Sequence, residues 1–272
     1  MLAIESPLLY AEIDLDQVEE HSCAQGNAVV FTSRSPVKET VNEDVLALIP
    51  VGEHAGVFVI ADGLGGLPAG EVAARIAVTS LKDALTEIAD DDVGLREAIL
   101  NGIEQANTRI LGLGTGCATT LAVVEMRGGV MRSYHVGDSL VMLVGQRGKM
   151  KFQNVFHSPV GYAVEAGMLD EVEAVHHEER NVVSNVIGTL DMRIDIGPTI
   201  ELADRDTLLL ASDGLSDNLY VDEIVARIKT GPLRKAGNLL VRDCRERMLS
   251  AEQERPGHPD DLSVILFRQA GR

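Results

Sequence analysis

The sequence has few cysteines and no long apolar run, and these two shortages exclude several classes of protein. Its three cysteines, Cys23, Cys117 and Cys244, are odd in number and far apart, which suits neither a disulfide framework nor a zinc site. No stretch approaches the roughly 18 apolar residues of a membrane-spanning helix, so no membrane association is expected. The first residues include Glu5 and no basic cluster, unlike a secretory signal, and a cytoplasmic location is expected.

Basic residues are also scarce relative to acids. There are 24 Lys and Arg against 42 Asp and Glu, which gives a formal net charge of −18. Because nucleic acids bind through clustered Lys and Arg, this balance excludes nucleic acid as an expected partner. The excess of acid has two interpretations: it keeps the protein soluble, or some of the carboxylates gather at one site to hold cations.

The chain shows no internal repeat, low-complexity tract or linker-like composition, so a single domain spanning residues 1–272 is predicted. Apolar runs predict strands, and apolar residues at helical spacing predict amphipathic helices. The predicted strands are 28–32, 45–49, 56–61, 119–125, 130–136, 140–144, 207–211 and 262–267, and the predicted helices are 71–89, 95–111, 221–229 and 233–249. Residues 145–206 are polar and irregular. Strand clusters separated by helix pairs predict an α+β arrangement of layers.

Aspartates lie at the ends of five of the predicted strands: Asp44, Asp62, Asp138, Asp213 and Asp260. If these ends share one edge of the sheets, several carboxylates project into one small volume. Crowded carboxylates disfavour one another's ionisation, and hard cations with oxygen ligands remove that cost. A pair of such ions about 3.5–4 Å apart activates a water and clamps a phosphoryl group. A single Asp-Gly pair is usually only a turn, so this hypothesis depends on the whole set.

The glycine-rich stretch 62–71 is not a nucleotide-binding loop. Pro68 stands where a dinucleotide fingerprint requires its third glycine, and Glu71 stands where a P-loop requires lysine. Glu71 suits the N-terminus of a helix, where the helix dipole favours an acid. The glycines instead allow close approach of the backbone, which makes the Gly63 carbonyl a candidate metal ligand.

Taken in order along the chain, these segments resemble the metal-dependent protein phosphatases of the 2C type. The resemblance covers nearly the whole chain, and each piece alone is less specific than the ordered set. The matching pieces are NED at 42–44, ADGLGG at 61–66 with GE at 70–71, GCATT at 116–120, VGDS at 136–139, HS at 157–158, HEERN at 177–181 with IG at 187–188, LASDGL at 210–215 and DDLS at 260–263.

The resemblance implies a four-layer αββα sandwich, with two antiparallel sheets flanked by helix pairs and a metal centre in a cleft at one end of the sheets. It implies that Asp62 bridges two Mn²⁺ or Mg²⁺ ions and that the Gly63 carbonyl completes one coordination sphere. It further implies that Asp213 and Asp260 bind the other ion.

The resemblance assigns roles to further residues around the two ions. Glu43 and Asp44 would act largely through bound waters, and Asp138 would help to hold a third, weaker ion, with Ser158 nearby. The implied reaction is a single in-line step in which a hydroxide bridging the metals attacks phosphorus, without a phosphoenzyme.

Substrate handling departs from the family's pattern. Bacterial members usually carry an arginine three residues before the asparagine of the NED piece, and it binds the substrate phosphate; here that residue is Glu39. Lys38 or Arg34 would have to take its place. A histidine that often follows the paired glycines, a candidate general acid, is replaced by Leu67.

Three functions are compatible with these patterns. The first is a serine/threonine phosphoprotein phosphatase, a monomer acting on the targets of a serine/threonine kinase. The second is a pseudophosphatase that keeps the fold and metals and docks a phosphoprotein without turnover, an alternative that rests on Glu39 and Leu67. The third is another carboxylate-metal hydrolase that acts on small phosphate esters.

Overall fold

The computed structural model describes residues 4–64, 69–88, 94–250 and 256–270. Within these ranges the chain forms thirteen strands and seven helices. The strands are β1 (Leu8–Ala11), β2 (Glu19–Cys23), β3 (Gly26–Ser33), β4 (Asp44–Val51), β5 (Ala55–Asp62), β6 (Leu121–Arg127), β7 (Val130–Val136), β8 (Leu140–Val144), β9 (Met150–Gln153), β10 (Asp195–Ile196), β11 (Ile200–Glu201), β12 (Thr207–Ala211) and β13 (Leu262–Gln269). The helices are α1 (Gly70–Thr86), α2 (Leu95–Gly112), α3 (Pro159–Glu165), α4 (Glu171–Val175), α5 (Asp213–Ser216), α6 (Val221–Ile228) and α7 (Leu233–Met248).

The strands form two antiparallel sheets. The first sheet has the order β1-β4-β5-β6-β7-β10, with β11 also paired to β7. The second has the order β2-β3-β13-β12-β8-β9. In the second sheet β13 lies between β3 and β12, so a late segment of the chain fills the middle of a sheet that earlier strands begin.

Alternation along the strands builds the layer between the two sheets. In β5, Phe58 and Ile60 face the second sheet, whereas Val57 and Val59 face the opposite side. The rings of Phe58 and Phe267 lie 5.1 Å apart and join the two sheets across this layer. Burial of each such large apolar side chain contributes about 1.5–3 kcal/mol, so this central layer supplies much of the stability.

Helices cover the two outer faces. The apolar stripe of α1 and the facing stripe of α2 pack on the first sheet, and those of α6 and α7 pack on the second. This arrangement confirms the predicted αββα sandwich. No helix in the described ranges is long and apolar enough to cross a membrane.

Several boundaries differ from those predicted. The polar stretch 145–206 contains β9, α3, α4, β10 and β11, and the N-terminal strands β1 and β2 were not predicted. These are short elements of mixed polarity, such as EEHSC in β2, which carry little periodicity. The first helix begins at Gly70 and ends at Thr86, and Ala89 lies outside the described residues.

Candidate metal centre

Asp44 and Asp62 lie opposite each other on neighbouring strands. Asp44 opens β4, Asp62 closes β5, and the two are cross-strand partners at the same edge of the first sheet. Asp44 is buried, and its Oδ2 accepts a 2.8 Å hydrogen bond from the Ser212 hydroxyl. Its Oδ1 is buried and has no hydrogen-bond partner. A buried carboxylate oxygen without a donor is costly, and a cation or a water held by one would satisfy it.

The second sheet brings its own acids to this edge. Asp213 follows β12 and Asp260 precedes β13, and these two strands are paired. The backbones stay in contact beyond the strands, because the Ser212 N–H donates to the Ser263 carbonyl over 3.1 Å. At Gly214 an added Cβ would lie 2.0 Å from the Asp261 carbonyl oxygen. The two acidic turns therefore approach each other as closely as they do only because residue 214 is glycine.

The carboxylates at this edge raise one another's pKa. The pKa of Asp62 is raised well above its usual range, first by burial and then by Asp213, Asp44, Asp260 and Asp138. Burial and neighbouring acids also raise the pKa of Asp213 and of Asp260 to about 7. Burial raises the pKa of Asp138 to about 6. The donor set is made of carboxylate oxygens, which suits a hard divalent cation.

Gly63 lies where several backbones meet. Its N–H donates to the Glu43 carbonyl over 3.3 Å, and an added Cβ would lie 2.4 Å from the Gly70 carbonyl. The Asp62 carbonyl is held by the Thr120 N–H at 2.8 Å and by the Thr119 hydroxyl at 2.7 Å. This fixes the turn that follows β5. The glycines at 65 and 66 and the leucine at 67 lie outside the described residues.

Lys38 is tied to two acids beside the cluster. Its Nζ donates to Asp261 Oδ2 over 2.7 Å and also contacts the Glu43 carboxylate. Burial lowers the pKa of Lys38, but Asp261 and Glu43 outweigh it, so the net shift is upward and the amine stays charged. Asp261 also accepts from the N–H groups of Ser35 and Glu43, each at 2.7 Å. The sequence singled out Asp260 and gave Asp261 no role, although Asp261 organises this corner.

Arg34 points to a different partner. Its Nε lies 3.2 Å from Asp14, whose other carboxylate oxygen accepts from the Arg34 N–H, and its side chain is about half exposed. Glu39 is exposed. Of the two cations expected near the substrate phosphate, the structure places Lys38, and not Arg34, in contact with residues of the acidic edge.

Asp138 and Ser158 line the same cavity as Asp213. Asp138 is buried in the turn between β7 and β8, beside Gly137, which has a φ of 106° and leaves no room for a Cβ near Thr120. Ser158 caps α3, because its hydroxyl accepts from the Gly161 N–H over 2.9 Å. The structure therefore gives Ser158 a local structural contact.

Asp217 also lies against the acidic cluster and was not among the residues predicted from the sequence. Its N–H bonds to the Asp213 carbonyl over 2.8 Å, and its pKa is raised well above the usual range by burial and then by Asp213. Arg180 approaches it, with 3.6 Å between Nε and the carboxylate. The spacing of four residues from Asp213, on a short helix, is the signal that would have located it.

In the described residues, no three of these aspartates bring a carboxylate oxygen each within 4.8 Å of one another. In the ranges that the structure describes, the one set of three ligand-type residues with an atom each within 4.8 Å of one another is His135, His157 and Asp195. The Nδ1 of His157 accepts hydrogen bonds from the Gly137 N–H at 3.0 Å and the Asn185 amide at 2.8 Å. The ring proton is therefore on Nε2, 3.1 Å from Asp195. A metal at Nε2 would drive that proton to Nδ1, against two donors, so this cluster is a poor metal site.

Comparisons with known proteins agree on one family. The model of the protein phosphatase 2C family matches residues 35–251. Protein phosphatase PhpP of Streptococcus pneumoniae serotype 2 (strain D39) is 34% identical over 195 residues, which are 69% of this chain and 78% of that protein. The serine/threonine phosphatase of S. agalactiae superposes with a TM-score of 0.77 at 27% identity, covering 89% of this chain and 99% of that one. The catalytic domain of the phosphatase PstP, solved in complex with two manganese ions, shares the fold, with a TM-score of 0.69 at 22% identity over 89% of this chain and 96% of that one.

Proposed function

The chain belongs to the protein phosphatase 2C family, and on that premise we propose that it hydrolyses phosphoserine and phosphothreonine in proteins in a single metal-dependent step. The observation that carries the proposal is the gathering of five aspartates from separate segments at one edge of the two sheets. Burial and mutual repulsion raise the pKa of Asp62, and the neighbours responsible are Asp213, Asp44, Asp260 and Asp138. Without cations, the buried carboxylates repel one another and destabilise the fold. With divalent cations bound, the same carboxylates would hold ions that activate a water.

We assign the metal ligands from the motifs that match the family, at residues that the structure places in this cluster. Asp62, the Gly63 carbonyl, Asp213 and Asp260 would hold two Mn²⁺ or Mg²⁺ ions. Bound divalent ions would supply an activated water as nucleophile and offset the charge on the phosphoryl oxygens.

The remaining acids would complete the centre from its edges. Glu43 and Asp44 would orient waters around the ions, and the buried, unpartnered Oδ1 of Asp44 supports this role. Asp138 would contribute to a third, weaker site. Ser158 would lie close to that third site, although its hydroxyl caps α3.

Lys38, rather than Arg34, would bind the substrate phosphate. A lysine ammonium has three N–H donors, and Asp261 and Glu43 use two of them. The third is free to meet a phosphate oxygen while the two acids keep the side chain in position. Arg34 is committed to Asp14 and is half exposed, so it would meet substrate only at the rim.

The experiment is hydrolysis of a phosphothreonine peptide and a chromogenic phosphate ester by the full chain, with Mn²⁺ and with chelator. Robust Mn²⁺-dependent turnover is expected, together with its loss in Asp62→Ala and Asp213→Ala and its retention in Asp204→Ala, a control at an exposed aspartate. Mn²⁺ affinity is measured in parallel by calorimetry. Turnover that persists in both site variants, or in chelator, would overturn the mechanism, and metal binding without turnover would favour a docking protein.

A further inference from the structure

A cavity of about 500 Å³ opens beside the aspartate cluster. Asp138 and Asp213 line one end of it, so it is continuous with the place where the substrate phosphate would lie. Its volume is within the range of small-ligand pockets, about 300–1,000 Å³. We call it the docking cavity and define it by its apolar walls: Leu140, Met150, Val160, Val164, Val175 and Ile224.

The two sides of the docking cavity differ in how firmly they are packed. Leu140 and Ile224 form the floor and belong to the buried core over the second sheet. Val164 of α3 and Val175 of α4 form the roof, are only half buried, and do not belong to that core. Helix α4 has no buried residue at all. An apolar group in the cavity would therefore remove roof side chains from water without disturbing the floor.

Side chains fasten the roof segment to the catalytic side. His176 lies 3.1 Å from the Tyr220 hydroxyl, Arg180 approaches Asp217, and Arg180 Nη2 donates to His258 over 2.8 Å. These contacts keep the roof over the cavity.

The charged groups around the walls select against acids. Glu165, Glu171 and Asp222 line the cavity and are exposed, and Asp217 joins them, whereas Arg180 is the one basic residue among the described lining residues. A negatively charged side chain would meet net repulsion here. An uncharged apolar side chain would meet complementary walls.

Resting on the proposed function, we propose that the docking cavity receives a large apolar side chain of the phosphoprotein substrate, within about three residues of the phosphorylated one. The distance follows from size: a cavity of this volume is roughly 10 Å across, and extended chain advances about 3.3–3.6 Å per residue. The chain thus reads sequence around the phosphate, preferring leucine, methionine or phenylalanine and rejecting aspartate and glutamate at the docking position.

The test uses phosphothreonine peptides that differ at one position, carrying Leu, Ala or Glu at each of the three sites on either side of the phosphothreonine. For at least one position the value of kcat/KM is expected to be about tenfold or more higher for Leu than for Ala, and lower again for Glu. If the Leu-to-Ala ratio of kcat/KM stays below about twofold at every position, the proposal is overturned.

Variants of the roof locate the effect. Val164→Trp fills the docking cavity, so the Leu-to-Ala ratio of kcat/KM is expected to fall towards one. This ratio does not depend on the amount of active enzyme. Val182→Trp is the matched control, because Val182 is half exposed and does not line the cavity, and it should keep the ratio. If Val164→Trp does not fold, Val175→Phe takes its place. A ratio that persists in the filled variant overturns the proposal.

A second set of measurements separates this proposal from the proposed function. The same peptides, made with a non-hydrolysable phosphonate in place of the phosphate, are titrated into the Mn²⁺-loaded full chain by fluorescence anisotropy. Docking predicts the Leu-over-Ala preference in affinity even if no phosphopeptide is turned over. If a second copy of this chain fills the cavity instead, Val164→Trp would change the sedimentation behaviour and leave the peptide ratio intact, which also overturns docking.

Discussion

The Ser212 hydroxyl donates a 2.8 Å hydrogen bond to Asp44, and so joins the second sheet to the first at the edge that carries the aspartates. The same oxygen accepts from the Ser263 N–H over 2.9 Å. Ser212, which follows β12, thus contacts β4 of the first sheet and β13 of the second sheet. The geometry of the acidic edge depends on this small residue, which donates to one sheet and accepts from the other.

Replacing Ser212 tests this link. Ser212→Ala leaves Asp44 without its donor and the Ser263 N–H without its acceptor, both buried. The expected loss is about 1–3 kcal/mol of unfolding free energy, measured by urea denaturation. Ser6→Ala, at an exposed serine, should be neutral. A neutral Ser212→Ala would show that water replaces the hydroxyl at this junction.

Gly214→Ala tests the close approach of the two acidic turns. The new Cβ would lie 2.0 Å from the Asp261 carbonyl oxygen, so the backbone must move. We expect a loss of about 1–3 kcal/mol or more in thermal or urea unfolding. Gly112→Ala is the control, since nothing lies within 4 Å of its added Cβ at the end of α2, and it should be neutral or stabilising by up to about 1 kcal/mol. Equal effects at the two glycines would contradict this explanation.

Divalent metal should raise the thermal stability of the chain. Ions that bind only the native state stabilise it by about 2.7 kcal/mol at one hundred times the dissociation constant. Scanning calorimetry with millimolar Mn²⁺ should therefore show a higher Tm than with chelator, and the shift should vanish in Asp62→Ala while Asp204→Ala keeps it. An unchanged Tm in the wild type would argue against a formed metal centre.

The metal-free protein should become less stable as the pH rises from 6.5 to 8. Asp213 and Asp260 have pKa values of about 7, above the usual 3.8, mainly because of burial. Between these two pKa values the native state therefore binds more protons than the unfolded chain, and the resulting stabilisation is lost as the pH rises through the folded pKa of about 7. We expect a difference of about 1–2 kcal/mol across this window in chelator, measured by urea unfolding.

Two comparisons sharpen the pH experiment. Asp213→Asn, which cannot ionise, should reduce the pH dependence and stabilise the metal-free protein at pH 8. In the wild type, saturating Mn²⁺ should remove most of the pH dependence of the unfolding free energy, because bound cations replace protons on the carboxylates. A metal-free protein that gains stability as pH rises over this window would refute the burial of these acids.

Lys38 and Arg34 should differ in their effect on substrate. Lys38→Met removes the ammonium held by Asp261 and Glu43 and is expected to raise KM for a phosphothreonine peptide by roughly tenfold, about 1.4 kcal/mol. Arg34→Met, which frees Asp14 at the half-exposed rim, should change KM by less than about twofold. A larger increase in KM for Arg34→Met than for Lys38→Met would show that Arg34, and not Lys38, binds the phosphate.

The strands that sequence could predict are those with long apolar runs. Residues 140–144 are predicted as a strand and form β8, because LVMLV is buried throughout the sheet. The helix predicted at 233–249 forms α7 and ends one residue earlier, at Met248. By contrast, the two-residue strands β10 and β11 arise from pairing with β7, which no local pattern encodes.

The same distinction applies to the site. Strand-end aspartates can be recognised in a sequence because turns follow apolar runs, and this pattern selected Asp62 and Asp213 as candidates, which the structure places close to each other. Asp261 and Asp217 depend on which hydrogen bonds and neighbours the fold supplies, as the contacts of Asp261 with Lys38, Ser35 and Glu43 show. Sequence spacing carries no such information.

The position of β13 has a consequence for how the protein is made. Its Ser263 bonds to Thr32, 231 residues away, and the strand separates β3 from β12 in the middle of the second sheet. During synthesis β3 must wait, unpaired on that side, until β13 leaves the ribosome, and pairing over such a distance is slow. A nascent chain that stops short of this strand would therefore lack the central contacts of the second sheet and the pairing with β12 that holds Asp260 near Asp213, so its acidic edge would be incomplete.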